Sequence, residues 1–375
     1  MSNISIIKSY KELVDLNSLR KSISSLLEMQ IEHVSYIKNK VIYSTYTKSK
    51  QEMCLDLFLY DYVKNPFIYL TGKVSRLKGY DYSKLLLLSH PKLFMEQFNA
   101  YINNLALVGE SNFTLWDFNI TLLGSDIVIS SLNSKSSEYL VIPYFVTKIG
   151  NDAFKANYSI KKIVFQEGSK LKEIGARCFS QCDKLKEINL PDCLEAIGAV
   201  AFYSCGFSSI EIPSALTTLR FRLFSSCDNL KKVSFKPSSK LNFIDPYVFE
   251  YSGIEEIELP SSLRTIFAGA FLNCVNLKHI EIPDSVVTLD ECVFEQCFSL
   301  EKLVLGKGVV NIPEGLLNGC LNLKDITILG DIKTIGYRAF AGVKADKIII
   351  PESSPLKPSV SDIVNYGRQV YYKIG

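Results

Sequence analysis

Ten cysteines and three histidines are the residues of this 375-residue chain suited to nucleophilic, redox or metal chemistry. Cys182, Cys205, Cys227, Cys274, Cys297 and Cys320 each stand three residues after a phenylalanine or, at Leu317, its substitute. Such regular placement predicts small buried thiols stacked as an interior ladder, each against its own repeat's aromatic ring. No Cys-x-x-Cys pair occurs, and only His33, His90 and His279 could complete a four-ligand zinc site. Thiols pointing the same way from stacked turns lack the Cβ directions a disulfide needs. The expectation is reduced thiols and therefore a cytoplasmic chain, with no metal and no cofactor. A secreted or surface-displayed chain is the alternative if the native N-terminus is longer.

Acid/base chemistry has one candidate place, His279 beside Glu256, Glu258 and Glu281. Adjacent strands would bring these side chains within about 5 Å of one another. The same cluster reads as a charged contact patch, with Lys232 and Lys302 one strand to either side. Catalysis favours a pocket that excludes water, whereas an open sheet offers a broad trough. No phosphate-binding glycine loop, His-Glu-x-x-His or Gly-x-Ser-x-Gly is present. The chain is therefore expected not to be an enzyme, a site near His279 being the minor alternative.

What must position these residues is a repeat. Phe154, Phe179, Phe202, Phe224, Phe249, Phe271, Phe294, Leu317 and Phe340 recur at intervals of 22 to 25 residues. That period holds one strand, one turn and a brief return limb, and leaves no room for helices. Within the strand a period of two turns Ile280 and Ile282 inward and His279 and Glu281 outward. The same pattern sends Val233 and Phe235, Ile257 and Leu259, and Ile348 and Ile350 to the core. Stacking gives a parallel sheet whose concave face is about 40 Å long. Proline at 143, 191, 213, 260, 283 and 351 marks the strand's exit, since its missing N–H would cost a ladder bond. The glycines of Ile149-Gly150, Ile174-Gly175, Ile197-Gly198 and Ile335-Gly336 read as residues permitted unusual dihedrals that let the chain turn tightly, although Arg220, Asp245, Phe267, Asp290 and Pro313 in other copies mean that φ > 0 is not demanded in every repeat. Two short insertions, at Glu167–Lys170 and Pro237–Lys240, read as length drift in surface turns, with binding loops as the alternative.

The outward strand positions form the candidate protein-binding surface: Glu187, Asn189, Glu211, Lys232, Glu256, Glu258, His279, Glu281, Lys302, Asp325 and Lys347. Its centre is acidic and its flanks are mixed, which suits a basic or amide-rich ridge better than a phosphate backbone.

Residues 1–110 change character. Leu13, Leu16, Leu19, Ile23, Leu26, Leu27, Ile31 and Val34 recur at mostly three- and four-residue intervals, an amphipathic helical pattern. Further helices are expected over Glu52–Tyr62, Tyr82–Leu87 and Leu93–Leu107. The fold class is thus α+β: a helical domain at 1–110, a linker and N-terminal cap at 111–143, a curved solenoid at 144–352 and a C-terminal cap at 353–375. Residues 1–110 carry 14 Lys plus Arg against 10 Asp plus Glu. This mild excess, without a recognised fingerprint, gives no strong nucleic-acid signal. No run of eighteen apolar residues indicates a transmembrane segment, and the first residues do not have the form of a secretory signal.

The pattern Leu-x-x-Ile-x-Ile-Pro, then Val, Ile-Gly, Ala-Phe and Cys, across Leu277 to Leu300 and from Ile335 to Phe340, closely resembles the BspA-like, or treponemal-type, leucine-rich repeat family. The resemblance covers about residues 140–352. It implies a curved protein-binding solenoid, many of whose bacterial and protist relatives are secreted or displayed as adhesins. The expected function is a non-catalytic protein-binding or scaffold role, with the helical domain as a second interaction or effector module. An adhesin-like surface or secreted binding protein is the alternative. The oligomeric state is left open.

Overall fold

The computed structural model of the chain describes residues 31–37, 40–45, 53–56, 112–115, 118–132, 138–356 and 372–373, which fall in two units, Met1–Thr121 and Leu122–Gly375. In the first, β1 (Ile31–Ile37), β2 (Lys40–Thr45) and β3 (Met53–Asp56) form an antiparallel sheet in that order. β4 (Asn112–Leu115) pairs antiparallel with β5 (Phe118–Leu123). Two expected helices are corrected in part: Ile31 and Val34 belong to β1, and β3 occupies positions assigned to the helix over Glu52–Tyr62. Val41-Ile42-Tyr43 and its neighbours are β-branched and aromatic, and pairing in register outweighs a helical spacing that is only approximate. The remaining expected helical positions lie outside the described residues.

The second unit begins with β6 (Asp126–Leu132) and then alternates between two walls. The concave wall takes β7 (Tyr139–Ile142), β9 (Lys162–Phe165), β11 (Glu187–Ile188), β13 (Ser209–Ile212), β15 (Lys232–Phe235), β17 (Glu256–Ile257), β19 (His279–Ile282), β21 (Lys302–Leu305), β23 (Asp325–Ile328) and β25 (Lys347–Ile349). The second wall takes the two-residue β8 (Lys148–Ile149), β10 (Glu173–Ile174), β12 (Ala196–Ile197), β14 (Thr218–Leu219), β16 (Phe243–Ile244), β18 (Thr265–Ile266), β20 (Thr288–Leu289), β22 (Asn311–Ile312) and β24 (Thr334–Ile335). Within these two walls each strand pairs in parallel with its counterpart one repeat on, apart from the break between β11 and β13, which splits the concave wall into a three-stranded and a seven-stranded sheet, and the breaks between β12 and β14 and between β20 and β22 in the second wall. The solenoid and its parallel concave sheet are therefore as the repeat predicts. The second wall is additional, because two residues are too few to show a period in sequence. At the far end β26 (Tyr372–Lys373) pairs antiparallel with β24. Each strand-exit proline accepts a turn-closing bond from the residue three on, as Val286 N–H does to Pro283 at 3.0 Å.

The return limb carries a third ladder. Phe154 N–H donates to Cys178 O at 2.9 Å and Phe179 N–H to Ala201 O at 2.8 Å, and the amides two residues to either side of each aromatic do the same. Those flanking positions take positive φ in every repeat, at Asp152 and Ala156, Arg177 and Gln181, Val200 and Ser204, and onward. Left-handed backbone thus falls mostly on non-glycine residues, where it costs about 1–2 kcal/mol each, glycine taking the place only at Gly269, Gly315, Gly319 and Gly342. The Ile-Gly glycines do not have it, which corrects the expectation. Their reason is closeness: a Cβ at Gly175 would lie 2.5 Å from Asn151 N, and one at Gly198 would lie 2.3 Å from Ala176 N.

Inside, the phenylalanine rings stack along the solenoid. Centroids are 5.0 Å apart for Phe154–Phe179, 5.3 Å for Phe179–Phe202 and 5.4 Å for Phe271–Phe294, and the rings are buried. Each such pair contributes about 0.5–1.5 kcal/mol beyond its burial. Phe235, Leu259, Ile348 and Ile350 are only half-buried, not core as expected.

Gly198→Ala should lower the unfolding free energy by about 1–3 kcal/mol through overpacking against the preceding repeat. Val200→Asn, relieving a β-branched residue held at φ 62°, should raise it by about 1 kcal/mol. Urea titrations of both variants check this.

Candidate protein-binding site

The nine cysteines from Cys178 to Cys320 are free thiols. The six ladder cysteines do not merely pack on their own repeat's ring: each S–H donates to the carbonyl of the preceding repeat's aromatic. Cys182 reaches Phe154 O at 3.2 Å, Cys227 reaches Phe202 O at 3.0 Å and Cys320 reaches Phe294 O at 3.1 Å. Burial, the largest cause, pushes Cys182, Cys227, Cys274 and Cys320 up to about 12, and Cys205 and Cys297 well above the ordinary thiol value. A thiolate is the reactive form, so these groups are structural. Among the described residues no group of three or more His, Cys, Asp or Glu is placed to hold a metal ion.

The eleven outward residues predicted as a binding surface are all exposed. Eight of them lie on the seven-stranded sheet, with Glu258 just past the end of β17, whereas Glu187 lies on the separate sheet of β7, β9 and β11 and Asn189 just past its end. Register places Lys232 against Glu256, Glu256 against His279, His279 against Lys302, Lys302 against Asp325 and Asp325 against Lys347.

A hollow of about 1000 Å³ opens in the middle of this sheet, lined by Lys232, Glu256, Glu258, His279, Glu281 and Lys302 together with residues the sequence did not single out. Its origin is visible in the ladder. Four registered pairs join β13 to β15 and β19 to β21, but only two join β15 to β17 and one joins β17 to β19. Where pairing thins, Phe235 and Leu259 come into the lining. Ser238 and Ser239 form part of the wall, so the insertion at Pro237–Lys240 shapes the hollow. Its extra length was the one signal in the sequence that could have located it.

The charges here differ from those elsewhere on the same wall. Lys162 and Glu187 pair at 2.7 Å, and Lys231 and Glu255 at 2.8 Å. Among the described residues Glu256, Glu258, Glu281, Lys232 and Lys302 have no ion-pair partner, although they sit on neighbouring strands. Lys236 at the edge is engaged, with Asp192 and, at 3.8 Å, with Glu211. The Asp192 carboxylate raises its pKa above the usual lysine value. Chemically the hollow is an open trough of carboxylates without ion-pair partners between ammonium groups.

No curated protein matches the sequence. Similar solved structures include a leucine rich cell surface protein from Faecalibacterium prausnitzii, 21% identical, covering 64% of this chain and 89% of that one with a TM-score of 0.37. A leucine-rich repeat protein from Bacteroides ovatus is 26% identical over 62% of this chain and 71% of that one, with a TM-score of 0.40. The T. pallidum leucine rich repeat protein is 20% identical over 60% and 86%, with a TM-score of 0.32.

The cytoplasmic expectation is overturned beside these relatives, the first of which is a cell surface protein. The physical flaw lies in the thiols. Groups this deeply buried and raised in pKa meet neither oxidant nor partner thiol, so their reduced state says nothing about compartment. Among the described residues no helix is long and apolar enough to cross a membrane.

The native protein should leave its ladder thiols unmodified by iodoacetamide at pH 8, as counted by mass spectrometry, and should expose them in urea. Below the ordinary thiol value of 9.0 the ladder is protonated in both folded and unfolded chains and its contribution is complete. As pH rises from 9.0 toward about 12, the unfolded chain releases protons that the folded one keeps, so stability should fall. Cys227→Ala should flatten that fall in a urea series.

The model for BspA type leucine rich repeat regions matches residues 147–252 and 242–358, more than half of the chain, and these are the repeats whose strands, stacked rings and thiols have just been described: the chain belongs to that family.

Proposed function

We propose that the chain is a non-catalytic protein-binding protein, displayed at the cell surface or secreted, which holds its partner against the concave sheet. The observation that carries this is the hollow between β15 and β21, where Glu256, Glu258 and Glu281 stand exposed and unpaired. Carboxylates on neighbouring strands repel one another, and a cationic or amide-bearing side chain set between them relieves the repulsion. Lys232 and Lys302 at the two sides would orient the occupant and reject a purely basic one. An open trough admits water freely, which suits recognition and opposes catalysis. Family membership supports protein binding in general, and the similar leucine rich cell surface protein from Faecalibacterium prausnitzii suggests the location.

Reversing all three charges, with Glu256→Lys, Glu258→Lys and Glu281→Lys, should weaken capture of the partner by about tenfold or more and leave the circular dichroism spectrum unchanged. Affinity capture from the native source with the intact and reversed proteins side by side checks this. Equal capture by both would exclude the trough. Protease treatment of intact cells should release fragments of the chain if it is displayed outside.

A further inference from the structure

We propose that the rim beside the trough in the last four repeats is a self-association face, occupied by a second copy of this chain docked antiparallel about a two-fold axis. The residues just before the concave strands stack from one repeat to the next. Glu301 N–H donates to Lys278 O at 2.9 Å, Lys324 N–H to Glu301 O at 3.0 Å and Asp346 N–H to Lys324 O at 2.9 Å. These bonds hold the four side chains on consecutive rungs, about 4.8 Å apart. All four are exposed, and none has an ion-pair partner among the described residues. Earlier in the same row the charges are engaged within the chain, Lys161 with Glu138 at 2.8 Å and Lys231 with Glu255 at 2.8 Å.

The order of signs is what selects the occupant. Lys278, Glu301, Lys324 and Asp346 run plus, minus, plus, minus, so the row read backwards has the opposite sign at every place. An antiparallel copy, turned about an axis between the Glu301 and Lys324 rungs, sets Lys278 against its Asp346 and Glu301 against its Lys324, and the reverse. This is the condition an isologous interface must meet.

The same rungs carry an independent feature. Val275, Phe298 and Leu321 occupy one repeat position, the fourth after the aromatic, and are 40%, 40% and 52% exposed. After Tyr158 in the first repeat, the preceding repeats place Asp183, Gly206, Asp228 and Gly253 there. Beyond the first repeat the apolar stripe thus falls on three of the four rungs whose charges have no ion-pair partner among the described residues, the Asp346 rung carrying Lys344 there. The proposed axis lays Phe298 on Leu321 of the second copy, giving an apolar strip bordered by charge pairs. Alternating signs alone would also ease repulsion between neighbouring rungs of a monomer; the stripe beside them would not. The trough floor at Glu256, Glu258 and Glu281 lies outside this face, so dimerisation and partner capture are separable.

Four rungs make a face smaller than a standard interface, which needs about 800 Å² per partner, so the dimer is weak and concentration-dependent. Sedimentation equilibrium of the full chain from about 1 μM to about 1 mM should show the mass rising from one chain toward two. Glu301→Lys and Lys324→Glu should each raise the dissociation constant about tenfold, because each creates two like-charge contacts across the axis. The double variant with both changes should return it to near the starting value, since the exchanged pair is again complementary between copies. Within one chain that double variant has two like-charge neighbours, as many as either single variant, so a purely intrachain role would leave it no better than the singles. Phe298→Asp should leave a monomer with an unchanged melting temperature. A wild-type chain that stays at single mass throughout, or a double variant that associates no better than the singles, overturns the proposal.

Discussion

Each turn of this solenoid is incomplete until the next one is laid on it. The amides of the return limb point at the carbonyls of the following repeat, and each ladder thiol reaches back to a carbonyl of the preceding one. A buried backbone group without a partner costs as much as a lost hydrogen bond. No single repeat can bury its ring or satisfy its backbone, so stability is a property of neighbours and spreads along the stack. The left-handed residues around each aromatic are tolerated for the same reason: they aim alternate amides along the axis, and the bonds and stacked rings gained offset the strain.

This constraint explains where variation is allowed. Side chains facing the axis must match from turn to turn, which keeps phenylalanine, leucine and a small thiol or hydroxyl in place; Ser252 stands in the ladder and still contacts Cys274 Sγ at 3.5 Å. Outward positions and turn lengths answer to no such rule. The insertion at Pro237–Lys240 lengthens one turn without disturbing the rings, and the adjoining thin pairing at β17 leaves a hollow in an otherwise continuous sheet. Departures from the repeat are therefore the informative places, and the trough, its unpaired carboxylates and the apolar rim all lie at such departures.

The reading of His279 and its glutamates shows the limit of residue type as a guide. Their composition is compatible with acid/base chemistry, and alternation alone places them on one face. Only the surroundings separate catalysis from recognition, and here they are an open hollow with lysines at its sides. The thiols teach the converse, since ten cysteines in 375 residues invite redox or metal chemistry while periodicity and burial withhold the six ladder thiols from it.

The repeat length, the inward pairs such as Ile280 and Ile282, the ring and thiol ladders and the strand-exit prolines were all legible in the chain itself, because a solenoid repeats one local arrangement and periodicity reports it directly. Ile31–Ile37 was misjudged as helical because a short run with mixed spacing is decided by its pairing partner. The second wall, the positive φ beside each aromatic, the packing role of Gly198 and the thinning at β17 belonged to the tertiary structure alone. Each depends on how closely one repeat approaches the next, a distance that no position within a single repeat encodes.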